Sequence, residues 1–333
     1  FWKEMLWGIA STGETYFTSN LTNGFTLDGT LRLKSGAVTR LFVGPSKDPD
    51  NSDGDLYAAT SEGLKRYDGA TSMWLDTGFT VPPHANNGKG ARGFRNHVYF
   101  PAGHAIYQYH PVSGAVRLMG PDQDDGLPSD RRGSITTMAS THNDLIAGMD
   151  SATGSLAALN TFVTAGVDDH NSVVFDSNSG YPSLLGWAGG PEPLGQGGWE
   201  VKWAGGSQGG AVEALLVSSQ YSAYRLWWGS GGRIYYQSLP TDIVNPSQVT
   251  STQYESSGVW QTPWLVVSGN QDGTALKCFL ETRNPTSSET VTLAYARNFV
   301  ESFTTLGTNS SAGEQVYNFN DASSKPTGLP FRA

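Results

Sequence analysis

The chain has 333 residues and a net charge of −9, with 21 Lys and Arg against 30 Asp and Glu. Nucleic-acid binding and anionic-membrane binding both begin with a basic face, so this charge balance argues against either partner. A single cysteine excludes an internal disulfide framework. No apolar run approaches the ~18 residues that a membrane-spanning helix needs, so membrane insertion is not expected.

The composition predicts an all-β protein. The chain contains 41 Gly, 10 Trp, 14 Tyr and 14 Phe, and only 15% of its residues are charged. Glycine supplies the backbone of tight turns, and aromatic residues pack well on pleated, half-buried surfaces. Long helical periodicity is absent, so many short strands joined by turns are expected.

In chain order, the first clear unit has four short strands separated by polar turns. Its predicted strands cover residues 38–43, 55–60, 64–67 and 72–75. The Asp68-Gly69 pair between the last two strands suits the positive-φ positions of a hairpin turn. Residues 1–37 are expected to form part of a further unit or an N-terminal arm.

Similar units follow along the chain, and they are predicted over residues 93–118, 134–159, 183–203 and 211–237. Repeats of roughly 40–45 residues with four short strands are typical of propeller blades. A β-sandwich is the alternative, because it also has turns every 8–12 residues or so. The longer period favours a β-propeller of five or six blades over residues 1–240.

Two of these units resemble the two-component-regulator type of propeller repeat. One reads Asp55-Leu-Tyr-Ala-Ala-Thr-Ser-Glu-Gly-Leu-Lys-Arg-Tyr-Asp-Gly69. The other reads Asp125-Gly-Leu-Pro-Ser129, then Ile135, then Asn143-Asp-Leu-Ile-Ala-Gly148. The resemblance implies a propeller fold. It says little about activity, because sensors, lyases and phage proteins share that fold.

Residues 241–333 differ in style and predict a small β-sandwich or jelly-roll domain, incomplete at its C-terminal end. Val291, Leu293 and Tyr295 alternate with polar or small residues, which indicates a sheet with one buried face.

Part of the chain, about 210–310, also resembles tail-associated or structural proteins of tailed bacteriophages. The resemblance is carried by Arg225-Leu-Trp-Trp-Gly229, Ile234-Tyr-Tyr236, Leu239-Pro240, Ser256-Ser-Gly258 and Thr262-Pro-Trp264. It implies a non-enzymatic virion component, tail-associated or on the capsid surface. Its partners would be other virion proteins or copies of itself, with a host-surface glycan as a further partner.

No catalytic pattern stands out in the sequence. It contains no HExxH pair, no phosphate-binding loop and no Gly-x-Ser-x-Gly elbow. No spacing selects the two convergent carboxylates that a glycosidase needs. We therefore expect a protein that is not an enzyme and requires no cofactor. The alternative is an extracellular carbohydrate-binding or carbohydrate-active propeller of glycosidase or lyase type.

An acidic loop is the best metal candidate. Its carboxylates belong to Asp48, Asp50, Asp53 and Asp55. Clustered carboxylates on a flexible loop suit Ca²⁺, although the glycine is misplaced for an EF-hand and no Glu stands at the twelfth position. Ordinary solvated loop acids are the structural alternative.

Several tryptophans are candidates for stacking on sugar rings, namely Trp187, Trp199, Trp203, Trp227 and Trp228. The adjacent pair Trp227 and Trp228 must point to opposite faces of a strand, so at least one of the two is expected in the core. Packing between blades is the alternative explanation for most of the five.

Overall fold

The computed structural model describes residues 2–10, 13–30, 37–121, 131, 133–141, 144–150, 182–187, 198–205, 211–220, 224–239, 273–275, 277–282, 288–297, 300–319 and 329–331. Within these ranges the chain is built from antiparallel β-strands, with one 3-10 helix over Leu21–Asn23. The all-β prediction is confirmed for this part of the chain. Within the described ranges, no helix is long and apolar enough to cross a membrane.

The chain divides into two compact units. The first combines Phe1–Leu159 with Phe175–Pro263, and the second combines Asn160–Val174 with Trp264–Ala333. The domain boundary predicted at residue 240 falls in a stretch outside the described residues.

The described residues of the first unit form five antiparallel sheets, each running in chain order. The first sheet contains strands β1 (Leu6–Ile9), β2 (Glu14–Thr18) and β3 (Thr26–Thr30). The sequence left two alternatives for residues 1–37, namely part of a further unit or an N-terminal arm. In the structure this segment contributes a three-stranded sheet.

The second and third sheets have four strands each. The second contains β4 (Val38–Gly44), β5 (Asp55–Thr60), β6 (Gly63–Asp68) and β7 (Met73–Thr80). The third contains β8 (Arg92–Phe94), β9 (His97–Ala102), β10 (Ala105–Tyr109) and β11 (Val116–Leu118). Arg95 has a φ of 52° and lies in the tight turn between β8 and β9, where Phe94 is paired with His97.

The fourth sheet corrects the count of repeat units. It contains β12 (Ser134–Ser140), β13 (Leu145–Asp150), β14 (Ser183–Trp187) and β15 (Trp199–Ala204). Because β13 pairs with β14, with Ala147 opposite Leu185, the stretches predicted as two units share one sheet. The strand predicted at 155–159 lies outside the described residues, within the segment that separates these two partners.

The fifth sheet has three strands, β16 (Val212–Ser218), β17 (Arg225–Ser230) and β18 (Arg233–Ser238). The five units predicted between residues 38 and 239 therefore correspond to four sheets.

The first strands of successive sheets lie side by side, with β4 next to β8, β8 next to β12, and β12 next to β16. Glycines permit this close approach. A Cβ added at Gly93 would lie 2.8 Å from the Cα of Gly44, and one added at Gly90 would lie 2.4 Å from the amide nitrogen of Met138. Sequential sheets are thus held together by backbone contact at their first strands.

Buried clusters fill the space between neighbouring sheets. Tyr57, Phe79 and Phe100 pack between the second and third sheets. A second cluster joins the third and fourth sheets through Tyr99, Ile106, Ile135, Met138, Leu145 and Leu185. Both faces of a central sheet are apolar for this reason, as the fully buried β5 and β14 show.

The second unit contains three two-stranded sheets among its described residues. Its strands are β19 (Gly273–Ala275), β20 (Lys277–Thr282), β21 (Val291–Arg297), β22 (Val300–Asn309), β23 (Gly313–Asn318) and β24 (Leu329–Phe331). The pairs are β19 with β24, β20 with β23, and β21 with β22. Leu293 and Tyr295 are half-buried whereas Val291 is exposed, so the predicted buried face is only partly formed. A β-sandwich in this region stays a prediction.

Candidate functional site

Most of the predicted glycan-stacking tryptophans are core side chains. Trp187 and Trp199 are buried in the cluster between the third and fourth sheets. The Trp187 ring lies 5.8 Å from the ring of Tyr99, and the Nε1 of Trp199 donates to the carbonyl oxygen of Met119 at 2.7 Å. Both rings are buried in this core, so the prediction that these two stack on sugars stays a prediction without support from this geometry.

Trp203 and Trp228 also belong to the interior, between the fourth and fifth sheets. Trp228 is 5% exposed and stacks on Tyr235, with ring centroids 5.7 Å apart and an interplanar angle of 16°. Trp203 is half-buried against both rings, 5.3 Å from Trp228 and 5.2 Å from Tyr235. Because the two rings pack on each other, the stacking prediction for this pair also stays a prediction without support from this geometry.

Trp227 lies on the opposite face of β17. Its cross-strand partners in the sheet are Leu216 on β16 and Tyr236 on β18. The rings of Trp227 and Tyr236 are 4.9 Å apart. Of the five predicted tryptophans, Trp227 is therefore the one that contributes to an open surface.

Five side chains share this face, and we call them the aromatic platform: Leu216, Arg225, Trp227, Ile234 and Tyr236. Leu216 is 61% exposed, Ile234 is 80% exposed and Tyr236 is 56% exposed. Side chains two residues apart on a strand share a face, which explains why Arg225 joins Trp227 and why Ile234 joins Tyr236. Exposed apolar residues grouped in this way mark interaction surfaces more often than single ones do.

Arg225 gives the platform a polar component. Its guanidinium carbon lies 4.8 Å from the ring centroid of Tyr236 and 5.8 Å from that of Trp227. Both distances are within the range of cation–π contacts. The Nε of Arg225 is buried without a hydrogen-bond partner among the described residues. The platform thus combines two aromatic rings with a guanidinium that has donor capacity to spare.

The sequence pattern pointed to Trp227 but missed its four companions. The two-residue spacings Arg225-x-Trp227 and Ile234-x-Tyr236 were available as a signal, since each pair must share a face. The register that brings Tyr236 beside Trp227 depends on the hairpin between β17 and β18, which the sequence pattern alone did not fix.

In the acidic loop, the carboxylate of Asp55 has a structural role. Asp55 is buried, and its carboxylate accepts hydrogen bonds from the Ser46 hydroxyl at 2.9 Å and the Lys47 amide at 2.9 Å. The same carboxylate forms an ion pair with Arg66 at 3.2 Å. Asp48 accepts from the amide of Asp50 at 3.1 Å, as in an ordinary Asx turn.

The four loop carboxylates do not converge. Among the described residues, which include all of 37–121, no three His, Cys, Asp or Glu side chains form a group that could hold a metal ion. Calcium binding by Asp48, Asp50, Asp53 and Asp55 stays a prediction without support from this geometry.

A small cavity of about 250 Å³ opens beside the β9–β10 turn, lined in part by Pro82, His84, Asn87, His104 and Tyr107. The side-chain Nδ2 of Asn87 donates to the carbonyl oxygens of Ser61 and Pro82. Among the residues that the structure describes, the buried Nε2 of His104 has no hydrogen-bond partner. Burial lowers the pKa of His104, with a further contribution from His84. The cavity is smaller than typical ligand pockets of about 300–1,000 Å³, so the aromatic platform is the better candidate site.

No protein-family model and no curated protein sequence matches the chain. Many solved structures share a distant likeness with the chain, among them the following three. Two are structures of the extracellular domain of BT4673 from B. thetaiotaomicron, described in one case as a one-component system and in the other as a hybrid two-component system. The third belongs to the Mitotic Checkpoint Complex.

The likeness is weak in every case. The first BT4673 structure is 15% identical with a TM-score of 0.44, over 71% of this chain and 26% of that chain. The second is 15% identical with a TM-score of 0.45, over 76% and 28%. The checkpoint structure is 13% identical with a TM-score of 0.44, over 72% and 60%.

The chain therefore spans about a quarter of the length of the two BT4673 domains. Their description matches the class of the repeats that the sequence resembles, but TM-scores and identities this low carry no argument about fold, activity or location. None of these three structures is described as a bacteriophage protein, so the predicted virion role gains no support from them.

Proposed function

We propose that the chain is an extracellular carbohydrate-binding β-propeller module, and that the aromatic platform is its glycan-contact surface. The observation that carries the proposal is the pairing of Trp227 with Tyr236 on an open sheet face, beside a guanidinium with unused donor capacity. Aromatic faces accept the apolar C–H faces of pyranose rings, and a guanidinium donates to sugar hydroxyls.

The propeller part of the proposal is supported by the order of the sheets. Five antiparallel sheets follow one another along the chain, and the first strands of four of them lie side by side. Four-stranded meanders stacked around their first strands are the architecture of propeller blades. We propose that the sheets close into a ring.

The composition of the aromatic platform supports a polysaccharide as the ligand. Its one charged side chain is Arg225, and its remaining members are apolar or aromatic. An extended neutral or acidic polysaccharide fits a flat face of this kind better than a basic partner does. Such polymers are met outside the cell, which is why we propose an extracellular location. Contact with a host-surface glycan by a virion protein would use the same chemistry.

A polysaccharide screen tests the proposal. Native electrophoresis through gels that contain individual polysaccharides should retard the wild-type chain in at least one gel. Trp227→Ala and Tyr236→Ala should migrate freely in that gel. Phe25→Ala, which removes a ring that is 51% exposed just before β3, should be retarded like the wild type. Free migration of the wild type in every gel would overturn the proposed function.

A further inference from the structure

The cavity beside the turn between β9 and β10, which we call the β9–β10 cavity, is lined by three parts of the first unit. His84 and Asn87 belong to the segment that connects β7 to β8, His104 and Tyr107 belong to the β9–β10 hairpin, and Ser134 begins β12. The volume is about 250 Å³. One water molecule takes up about 30 Å³ in the liquid, so the cavity has room for a small molecule.

Backbone hydrogen bonds hold two of these parts in place. The amide of His84 donates to the carbonyl oxygen of Ser61, in the β5–β6 turn, at 3.0 Å. The amide of Ile135 on β12 donates to the carbonyl oxygen of Gly103, in the β9–β10 turn, at 3.0 Å. The cavity is therefore preformed, and a ligand that enters it does not have to order these segments.

Asn87 offers the cavity a hydrogen-bond acceptor. The residue is only 2% exposed, and its Nδ2 donates to the carbonyl oxygens of Ser61 at 2.9 Å and Pro82 at 2.8 Å. Both hydrogens of the side-chain amide are thus engaged by the backbone. No residue that the structure describes donates to the Oδ1 of Asn87. This oxygen is the atom of a buried, fixed side chain that is left to accept from a ligand.

His84 offers a donor. The Nδ1 of its imidazole accepts from the amide of Asn86 at 3.2 Å. A neutral imidazole that accepts at Nδ1 carries its hydrogen on Nε2, so the second nitrogen of His84 is a donor. The side chain of His84 is exposed, and this donor is accessible to a ligand at the cavity.

The rest of the described lining is uncharged. It contains no Asp, Glu, Lys or Arg. Burial, with help from His84, lowers the pKa of His104, so its imidazole is neutral at pH 7. The half-buried Tyr107 supplies an aromatic surface, and its ring is held 5.5 Å from the ring of Phe79. A donor, an acceptor and an aromatic surface without a charge favour a small neutral ligand that has hydroxyl groups and an apolar face.

We propose that the β9–β10 cavity binds one neutral pyranose residue. A hydroxyl group both donates and accepts, so neighbouring hydroxyls can accept from the Nε2 of His84 and donate to the Oδ1 of Asn87. The C–H face of the sugar would lie against Tyr107. The choice of a sugar rests on the proposed function, but the site is separate from the aromatic platform, which lies on the fifth sheet.

Saturation-transfer difference NMR of the whole chain tests the cavity. The probes are glucose, galactose, mannose and N-acetylglucosamine, each as the free sugar and as a disaccharide that ends in it. At least one probe should give a saturable signal. Binding of both forms would support a site for a chain end, and binding of the free sugar alone would support a site for a monosaccharide. No saturable signal with any probe would overturn the cavity site.

Variants then locate the binding. His84→Ala should weaken binding of the effective probe about three- to tenfold, as expected for one lost hydrogen bond. Ala102→Leu places a larger side chain at a residue that lines the cavity, and it should abolish binding. His110→Ala is the matched control, because the Nδ1 of His110 also accepts a backbone amide, that of Ser113, at 3.2 Å. This control should bind like the wild type.

The two cavity variants keep the test decisive, because His84 is exposed and its alanine variant should fold even if Ala102→Leu does not. Wild-type affinity in every folded cavity variant would overturn the site. If Trp227→Ala removes the signal instead, the sugar binds the platform and only the cavity proposal fails. If the cavity variants remove the signal while the wild type migrates freely in every polysaccharide gel, the cavity is supported and the platform fails.

Discussion

Trp227 and Trp228 are neighbours in the chain, yet their rings lie on opposite faces of β17. The Trp228 ring stacks on Tyr235 in the core at 5.7 Å, and the Trp227 ring meets Tyr236 on the open face at 4.9 Å. Adjacent side chains on a strand point to opposite faces. Trp228 therefore packs the fifth sheet against the fourth, whereas Trp227 lies on the surface that we propose binds glycans.

Substitution of the two tryptophans should separate stability from surface function. Trp228→Ala empties a buried site and should lower the free energy of unfolding by about 3–5 kcal/mol. Trp227→Ala removes a ring from an open face and should cost about 1 kcal/mol or less. Urea denaturation followed by circular dichroism measures both. Equal losses would mean that Trp227 is packed as tightly as Trp228.

Two glycines with similar backbone angles should differ in how well they tolerate alanine. Gly90 has a φ of 80°, and an added Cβ would lie 2.4 Å from the amide nitrogen of Met138. Gly114 has a φ of 69° and open space around it. Gly114→Ala should cost about 1–2 kcal/mol of backbone strain. Gly90→Ala should cost about 3–5 kcal/mol, because the methyl group also forces β8 away from β12.

Chemical denaturation of the two glycine variants provides the comparison. A Gly90→Ala variant as stable as Gly114→Ala would contradict the close approach of the third and fourth sheets, on which the propeller proposal depends.

His104 should make stability depend on pH in a defined direction. Burial, with help from His84, lowers the pKa of His104 below its ordinary value of 6.5. The imidazole of His104 therefore binds a proton less readily in the folded chain than in the unfolded chain. The stability contribution is complete above about pH 6.5 and falls as the pH drops towards the folded pKa. His104→Gln should lose less stability than the wild type between about pH 7.5 and about pH 5.5.

Unfolding free energies at the two pH values measure this difference directly. His84→Gln should reduce the effect without abolishing it, because His84 is the second cause of the shift. Identical pH dependence in the wild type and His104→Gln would show that the imidazole of His104 is not shielded as described.

Asp55 should matter for folding, whereas Asp48 should not. Asp55→Ala leaves the Arg66 guanidinium and the Lys47 amide without their acceptor and should cost about 3 kcal/mol. Asp48→Ala alters an exposed turn and should cost less than about 0.5 kcal/mol. We expect the same melting temperatures in calcium and in chelator. Stabilisation by calcium that Asp48→Ala removes would instead show that the loop rearranges around the ion.

Local features of the fold could be predicted from the sequence. The alternating residues and the turn at 61–63 located β5 and β6 to within a residue or two, because strands and tight turns are specified by neighbouring residues. The pairing of β13 with β14 could not be predicted in the same way. The two strands are separated by residues 151–182, and such a pairing depends on contacts between distant parts of the chain.

The candidate sites show the same limit. Strand alternation predicted that Trp227 and Trp228 would face apart, but it could not say which ring faces outward. That choice depends on Trp203, which packs against Trp228 from another sheet.

The most direct test of the proposed function is a calorimetric titration with a polysaccharide fragment that the wild-type chain retains in the gel screen. Trp227→Ala and Tyr236→Ala should each weaken binding about tenfold or more, as expected for central aromatic contacts. Phe25→Ala should bind with wild-type affinity. Wild-type affinity in both platform variants, with their fold intact by circular dichroism, would contradict the claim that this face binds glycans.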